Sequence, residues 1–321
     1  MLVLSSDAIR ALAPMPGLIE CLRKAFCSEC VVPVRQVMKM PGGAGERLFV
    51  SMPAFDVEGG AAVKVATVFP DNQTERLPTV QAAIVVFSHT GTPVAVLDGT
   101  LVTQLRTAAA SGLASTYLSR QDSAHLVLVG TGALAPYMAL AHCAVRPIQR
   151  VNVWGRRPEQ AALTVAAIRA LVPGIEVQPC ESLKKGVAMA DIVSCATRSP
   201  TPLVAGKWLR SGTFVDLVGS FSPTARESDD DVVLRSRIFV DTREGALAEA
   251  GDVLEPISRS VITKERIEGD LFDLARGRVN GRATDDEIIL FKSVGTAIED
   301  LAAAQMIVAA SRQSQPPPIS R

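Results

Sequence analysis

The chain has 321 residues, room for two domains at roughly 150 residues each. Lys and Arg total 33, as do Asp and Glu, so the net charge is +0 and nothing electrostatic recruits nucleic acid or an anionic membrane. Hydrophobic residues at 48% exclude wholesale disorder, and aromatic residues at 4% argue against a base-stacking platform. Residues 1–15 lack a basic segment ahead of an apolar run, so they do not read as a secretory signal, and no apolar run reaches transmembrane length. Cysteines at positions 21, 27, 30, 143, 180 and 195 form no disulfide framework. The expectation is a cytoplasmic protein that partners neither nucleic acid nor membrane.

In chain order, the apolar runs 61–68, 82–87 and 93–97 are separated by turn clusters and predict neighbouring strands of a mixed or antiparallel sheet. Residues 101–119, rich in Ala and Leu, predict a helix leaving that domain. A second pattern begins at His125. Strands are predicted at 126–129, 151–154, 175–177, 192–196, 213–218 and 238–241, with helices at 137–144, 158–171 and 182–188. Such alternation means βαβ units and a parallel sheet covered on both faces. The acidic run Asp229-Asp230-Asp231 predicts a helix start. A long closing helix is expected over 285–310, followed by a frayed Pro-rich tail at 315–320. That helix should fold back on the first domain. The fold class is therefore α/β, a Rossmann-type doubly wound sheet inserted into a second α/β domain built from both termini. The boundaries are expected at 1–119 with 291–321 for the domain built from both termini, and at 120–290 for the inserted dinucleotide module.

Gly130-Thr131-Gly132-Ala133-Leu134-Ala135 follows a strand and opens a helix. Glycine there lets backbone approach a pyrophosphate, and the helix N-terminus faces its charge. An NAD site carries an Asp or Glu after the second strand, but here Trp154 leads into Gly155, Arg156 and Arg157. Two guanidinium groups and no acid favour a 2′-phosphate, so NADPH is expected, with NADH possible. Lys64 sits inside an apolar strand, where an unpaired ammonium is costly, so it should meet a carboxylate or a substrate. Asp216, at the end of a strand, is a weaker acid candidate that could face the crevice or serve as a cap or turn residue. Cys21, Cys27 and Cys30 do not complete a zinc ligand set, and His89, His125 and His142 are not obviously paired. No metal is expected.

Over nearly its whole length the chain resembles the ornithine cyclodeaminase and mu-crystallin family. The resemblance is carried by Pro33-Val34-Arg35, residues 48–53, Val63-Lys64, residues 105–111, the glycine turn, Val218-Gly219-Ser220 with Pro223 and Glu227, and Phe291-Lys292-Ser293-Val294-Gly295. It implies that Arg35 and Arg106 grip a substrate carboxylate, with Met52 and Lys64 beside them. Thr107, next to Arg106 at a helix start, resembles a residue that helps hold cofactor phosphates, and Arg106, Thr197, Val218 and Ser293 join the cofactor-binding set. A homodimer is implied as well, with 1–119 plus 291–321 as the substrate-binding and dimerisation domain.

One departure decides the activity. Cyclodeaminases of the family, and its alanine dehydrogenases, carry an Asp two residues before the proline of Gly219-Ser220-Phe221-Ser222-Pro223, where this chain has Phe221. Phe can neither hold an amino group nor manage a proton, whereas an apolar wall suits a planar ring. The expected activity is reduction of a cyclic 2-imino acid, Δ1-pyrroline-2-carboxylate or Δ1-piperideine-2-carboxylate, to proline or pipecolate, with Lys64 or its bound water as the proton source. The alternatives are a dehydrogenase of a linear or N-alkyl amino acid such as alanine, an ornithine cyclodeaminase, or a non-catalytic NADPH-binding protein.

Overall fold

The computed structural model describes residues 1–42, 47–57, 59–75 and 77–313; the Pro-rich tail lies outside them. Contacts divide the chain into two units, Met1–Arg106 with Thr296–Arg321, and Thr107–Gly295.

The first unit opens with β1 (Leu2–Leu4), α1 (Ser6–Leu12), α2 (Met15–Cys27), β2 (Cys30–Val31) and β3 (Gln36–Met40). It continues with β4 (Arg47–Asp56), β5 (Gly60–Val68), β6 (Val80–Phe87), β7 (Pro93–Asp98) and the start of α3 (Gly99–Leu118). The sheet runs β1-β7-β6-β5-β4-β2, with β3 also on β4, and only the β1/β7 pair is parallel. Period-two alternation puts Val50, Met52, Ala54, Ala62, Ala66, Ile84, Val86, Ala95 and Leu97 on one buried face. Asp98 accepts from the backbone N–H groups of Thr100 (2.9 Å) and Leu101 (3.3 Å), which starts α3 at Gly99.

The second unit contains β8 (His125–Val129), α4 (Ala135–Val145), β9 (Arg150–Trp154), α5 (Pro158–Leu171), β10 (Glu176–Pro179), α6 (Leu183–Met189) and β11 (Ile192–Cys195). Next come β12 (Phe214–Leu217), α7 (Asp230–Arg235), β13 (Arg237–Val240), α8 (Arg243–Glu249), α9 (Gly251–Ser258), β14 (Ile267–Asp270), α10 (Leu271–Ala275) and β15 (Ile289–Lys292). Every pair in its sheet is parallel, in the order β10-β9-β8-β11-β12-β15-β13-β14. The order reverses beside β8, so the carboxyl ends of β8 and β11 form a topological switch point. Bare apolar runs such as Leu126-Val127-Leu128-Val129 are buried on both faces, as a helix-covered parallel sheet requires. Asp229 caps α7 by accepting from the Val232 N–H at 3.2 Å, as the acidic run predicts.

The chain returns to the first unit with α11 (Ala297–Gln313), which packs on α2, β4, β5 and β6. The closing helix is thus shorter than the expected 285–310 and begins later. Residues 289–292 are wholly buried as a strand between β12 and β13, and Gly295, at φ +81°, breaks the chain before the helix. The division also differs from the expected boundaries, because residues 107–119 and 291–295 group with the second unit. Ser111 and Ser115 of α3 bond to Asp216 and Arg146 there, and β15 belongs to that unit's sheet.

Candidate active site

In the first unit, the alternation of β5 turns Lys64 to the buried face between Ala62 and Ala66, whose small side chains leave room for its stem. Met52 is its cross-strand neighbour on β4 and is likewise buried. Above that face, α11 presents Glu299 and Asp300. Lys64 Nζ stands 2.8 Å from Asp300 Oδ2. Arg106, in α3, donates from Nε to Asp300 Oδ1 at 2.9 Å and from Nη1 to Glu299 Oε2 at 2.5 Å. All four side chains are at most 5% exposed, so two cations and two carboxylates neutralise one another out of water. Arg35, half-buried between β2 and β3, adds positive potential at Lys64.

Burial, and then the positive charge of Arg106, push Lys64 down to about 8, against the opposing pull of Asp300. Burial also disfavours the charge on Arg106, but Asp300 and Glu299 outweigh it and hold the guanidinium charged. For Asp300, burial raises the pKa, and Arg106 and Lys64 more than reverse it. The result is an ammonium poised near neutrality in a cluster whose arginine stays fixed. The carboxylate anticipated for Lys64 is Asp300. Neither Glu299 nor Asp300 was anticipated, because acids in a helix's first turn read as ordinary complements to the helix dipole.

In the second unit, the glycine turn leaves β8 at the switch point. Gly130 takes φ +122°, and a Cβ there would stand 2.7 Å from the Ala196 carbonyl oxygen, so only glycine fits. A Cβ on Gly132 would meet nothing within 4 Å, and both Gly132 and Ala133 are exposed. Thr131 lies against Gly155, where a Cβ would come within 2.5 Å of Thr131 Cγ2. No side chain caps α4, which starts at the buried Ala135. An exposed glycine and a helix N-terminus that no side chain caps fit a pyrophosphate. Arg156 and Arg157 follow β9, and both are exposed.

Thr197, Val218 and Ser293 follow β11, β12 and β15, three adjacent strands. Thr197 donates through its N–H (2.7 Å) and hydroxyl (2.8 Å) to Glu227 Oε1. The Val218 N–H bonds the Cys195 carbonyl at 2.9 Å, and the Ser293 hydroxyl donates to Asp241 Oδ2 at 3.0 Å. Thr107 does not lie at a helix start. Because Asp98 begins α3 at Gly99, Thr107 is in the helix interior, where its N–H is used within the helix.

Two further expectations change. Asp216 neither faces a crevice nor caps an element. It is wholly buried in β12 and accepts from Ser111 Oγ (2.9 Å) and Ser194 Oγ (2.9 Å), with His142 Nε2 at 3.1 Å. His142 is therefore paired, and Asp216 ties α3, α4 and β11 to β12. His125 also has partners, Asn152 Oδ1 at 2.7 Å and the Met189 carbonyl at 3.1 Å.

Known proteins share this architecture. A model of the ornithine cyclodeaminase/mu-crystallin family matches residues 2–315. A Δ1-pyrroline-2-carboxylate reductase of Colwellia psychrerythraea is 38% identical over 312 residues, covering 96% of this chain and 98% of that protein. The solved Thermococcus litoralis Δ1-pyrroline-2-carboxylate reductase, in complex with NADH and L-proline, superposes with a TM-score of 0.93 at 34% identity over 98% of each chain. An archaeal alanine dehydrogenase dimer with bound NAD superposes at 0.90 with 28% identity, over 98% of this chain and 96% of its own. No helix among the described residues is long and apolar enough to cross a membrane.

Proposed function

We propose that this chain, which belongs to the ornithine cyclodeaminase/mu-crystallin family, reduces a cyclic 2-imino acid, Δ1-pyrroline-2-carboxylate or its six-membered homologue, to proline or pipecolate with NADPH. The observation that most supports a proton-transfer role is Lys64, a buried ammonium brought to about 8 beside a carboxylate that keeps it protonated at neutral pH. Its Nζ, or water bound to it, delivers the proton to the ring nitrogen. Arg35 and Arg106 bind the substrate carboxylate, Arg106 through Nη2, while Asp300 and Glu299 hold its Nε and Nη1. Met52 lines this pocket.

Residues 130–135, with Thr197, Val218 and Ser293, hold the dinucleotide, and Arg156 and Arg157 take a 2′-phosphate. Bound there, a nicotinamide nucleotide supplies the hydride for the imine carbon. Phe221, 39% exposed, offers an apolar wall to a planar ring in place of an acid. The Thermococcus litoralis neighbour in complex with NADH and L-proline supports the substrate class, and NADPH preference rests on the two arginines alone.

The outer face of the first unit's sheet supports a homodimer. Phe49, Val63, Val65, Val85 and Phe87 are only half-buried there and Phe55 is exposed, a face that suits a second copy across a twofold axis. We assign the chain to the cytoplasm, since six cysteines spaced through a chain of this length read as no disulfide framework.

The test follows nicotinamide absorbance with Δ1-pyrroline-2-carboxylate and NADPH, beside an NADH control and an ornithine-plus-NAD control. Imine-dependent oxidation, faster with NADPH, is the expected result. Ammonia released from ornithine, with no imine turnover, overturns it.

A further inference from the structure

Beneath the carboxyl ends of β11, β12 and β15 lies a second set of buried ionisable groups that the reaction as described does not use. Glu227, wholly buried in the loop after β12, receives the Thr197 N–H and hydroxyl on Oε1 and the Gly219 N–H on Oε2, the last at 2.8 Å. Lys292, also wholly buried, donates from Nζ to the Ser220 carbonyl at 2.6 Å and lies 3.2 Å from Asp252 Oδ2 and 3.9 Å from Glu227 Oε2. Asp252 Oδ1 in turn receives the N–H groups of Glu227 (2.8 Å) and Ser228 (3.0 Å).

Three buried ionisable groups under one short loop are costly unless each is partnered, and here each one terminates on loop backbone. The loops after β11 and β12 also meet backbone to backbone, since a Cβ on Gly219 would stand 2.0 Å from both the nitrogen and the carbonyl oxygen of Thr197. A second bond, from Ser220 Oγ to the Ala225 carbonyl at 2.8 Å, closes the far side of the loop. The one large side chain between these anchors is Phe221, and it projects outward.

We infer that Lys292 and Glu227 are positioning residues, clamping the backbone of 219–220 from beneath so that Phe221, the proposed apolar wall, is held in one place. The kinetic part of this inference rests on the imine-reductase reading; the order of the loop does not. Apolar residues could fill the same space, but they could not receive two N–H groups and donate to a carbonyl at a point where three strands end and no sheet partner satisfies them.

The test has two arms. Protein labelled with 4-fluorophenylalanine reports Phe221 through the fluorine resonance that disappears in Phe221→Ala. Lys292→Met is expected to shift and broaden that resonance. In the second arm, Lys292→Met lowers kcat/KM for the cyclic imine about ten-fold or more, as misplacement of a positioning wall does. The same change made in Phe221→Ala costs less than about two-fold, because the group through which Lys292 acts is gone. An unchanged Phe221 resonance, or equal losses in the two backgrounds, overturns the inference. If circular dichroism shows that Lys292→Met does not fold, Glu227→Gln goes through both arms, since an isosteric amide keeps the volume while losing one of the two acceptor oxygens that hold the loop backbone. Absence of imine turnover in the wild type sinks the proposed function, and the fluorine arm then decides the loop by itself.

Discussion

Replacing Asp300 with Asn tests the acid-base cluster most directly. Lys64 stands at about 8 because burial and Arg106 lower it while Asp300, 2.8 Å away, raises it. A single opposite charge at such a distance shifts a pKa by about 1–3 units, or roughly 1.4–4 kcal/mol. The Asn side chain keeps the volume and its oxygen can still accept from Arg106, while its amide N–H group replaces the carboxylate oxygen facing Lys64, so the charge and that acceptor are lost together and both losses disfavour the ammonium. In the imine-reducing direction Lys64 must enter the step protonated, and activity falls as pH rises through its pKa. The wild-type alkaline limb of kcat/KM should therefore lie near 8, and Asp300→Asn should move it down by about 1–3 units. Titration of the imine substrate is common to both enzymes, so the difference between their profiles isolates the protein group. The assay is NADPH oxidation against pH at low substrate, with nucleotide affinity measured in parallel. A limb that stays in place, or moves upward, refutes Lys64 as the proton donor supported by Asp300.

The two glycines of the turn should behave in opposite ways. Gly130→Ala forces a Cβ to 2.7 Å from a backbone carbonyl at φ +122° and should lower the melting temperature, whereas Gly132→Ala meets nothing in the chain and should melt as wild type while binding nucleotide more weakly. Calorimetry with a nucleotide titration separates them, and unaltered nucleotide affinity in Gly132→Ala removes that residue from the pyrophosphate site. Replacing Arg156 and Arg157 with Ala should weaken NADPH by about 10–100-fold, from roughly 1.5–3 kcal/mol of charge-assisted bonding, and leave NADH nearly unchanged. Equal weakening of both nucleotides, by fluorescence titration, removes the 2′-phosphate role. Phe221→Asp puts a carboxylate into the proposed apolar wall and should reduce cyclic-imine kcat/KM about ten-fold or more through desolvation of the new charge; an undiminished rate takes Phe221 out of that role.

The Rossmann half was legible because its signals are local. Bare apolar runs, a glycine turn and Pro158 at a helix start each declare themselves within a few residues, and α5 falls on the expected 158–171. The strands at 61–68, 82–87 and 93–97 were visible for the same reason. By contrast, β2 has two residues and β3 is exposed throughout, so neither carries an alternation to read.

The start of the closing helix is not legible because 288–291 is apolar under either period, and only its position in the interior of a parallel sheet makes it part of a strand. The same limit applies to the site. A lysine inside an apolar strand announces that it needs a carboxylate, because the cost of leaving it unpaired belongs to that position alone. Which carboxylate answers is a property of topology: Asp300 meets Lys64 because the chain returns from the second unit to lay α11 over β5. Asp216 with His142, and Glu227 with Lys292, follow the same rule, each pair joining elements far apart in sequence. A buried charge is thus readable as a demand while its partner is readable only in the fold. For that reason the residues that tune Lys64, rather than Lys64 itself, are where substitution distinguishes the mechanism from its alternatives.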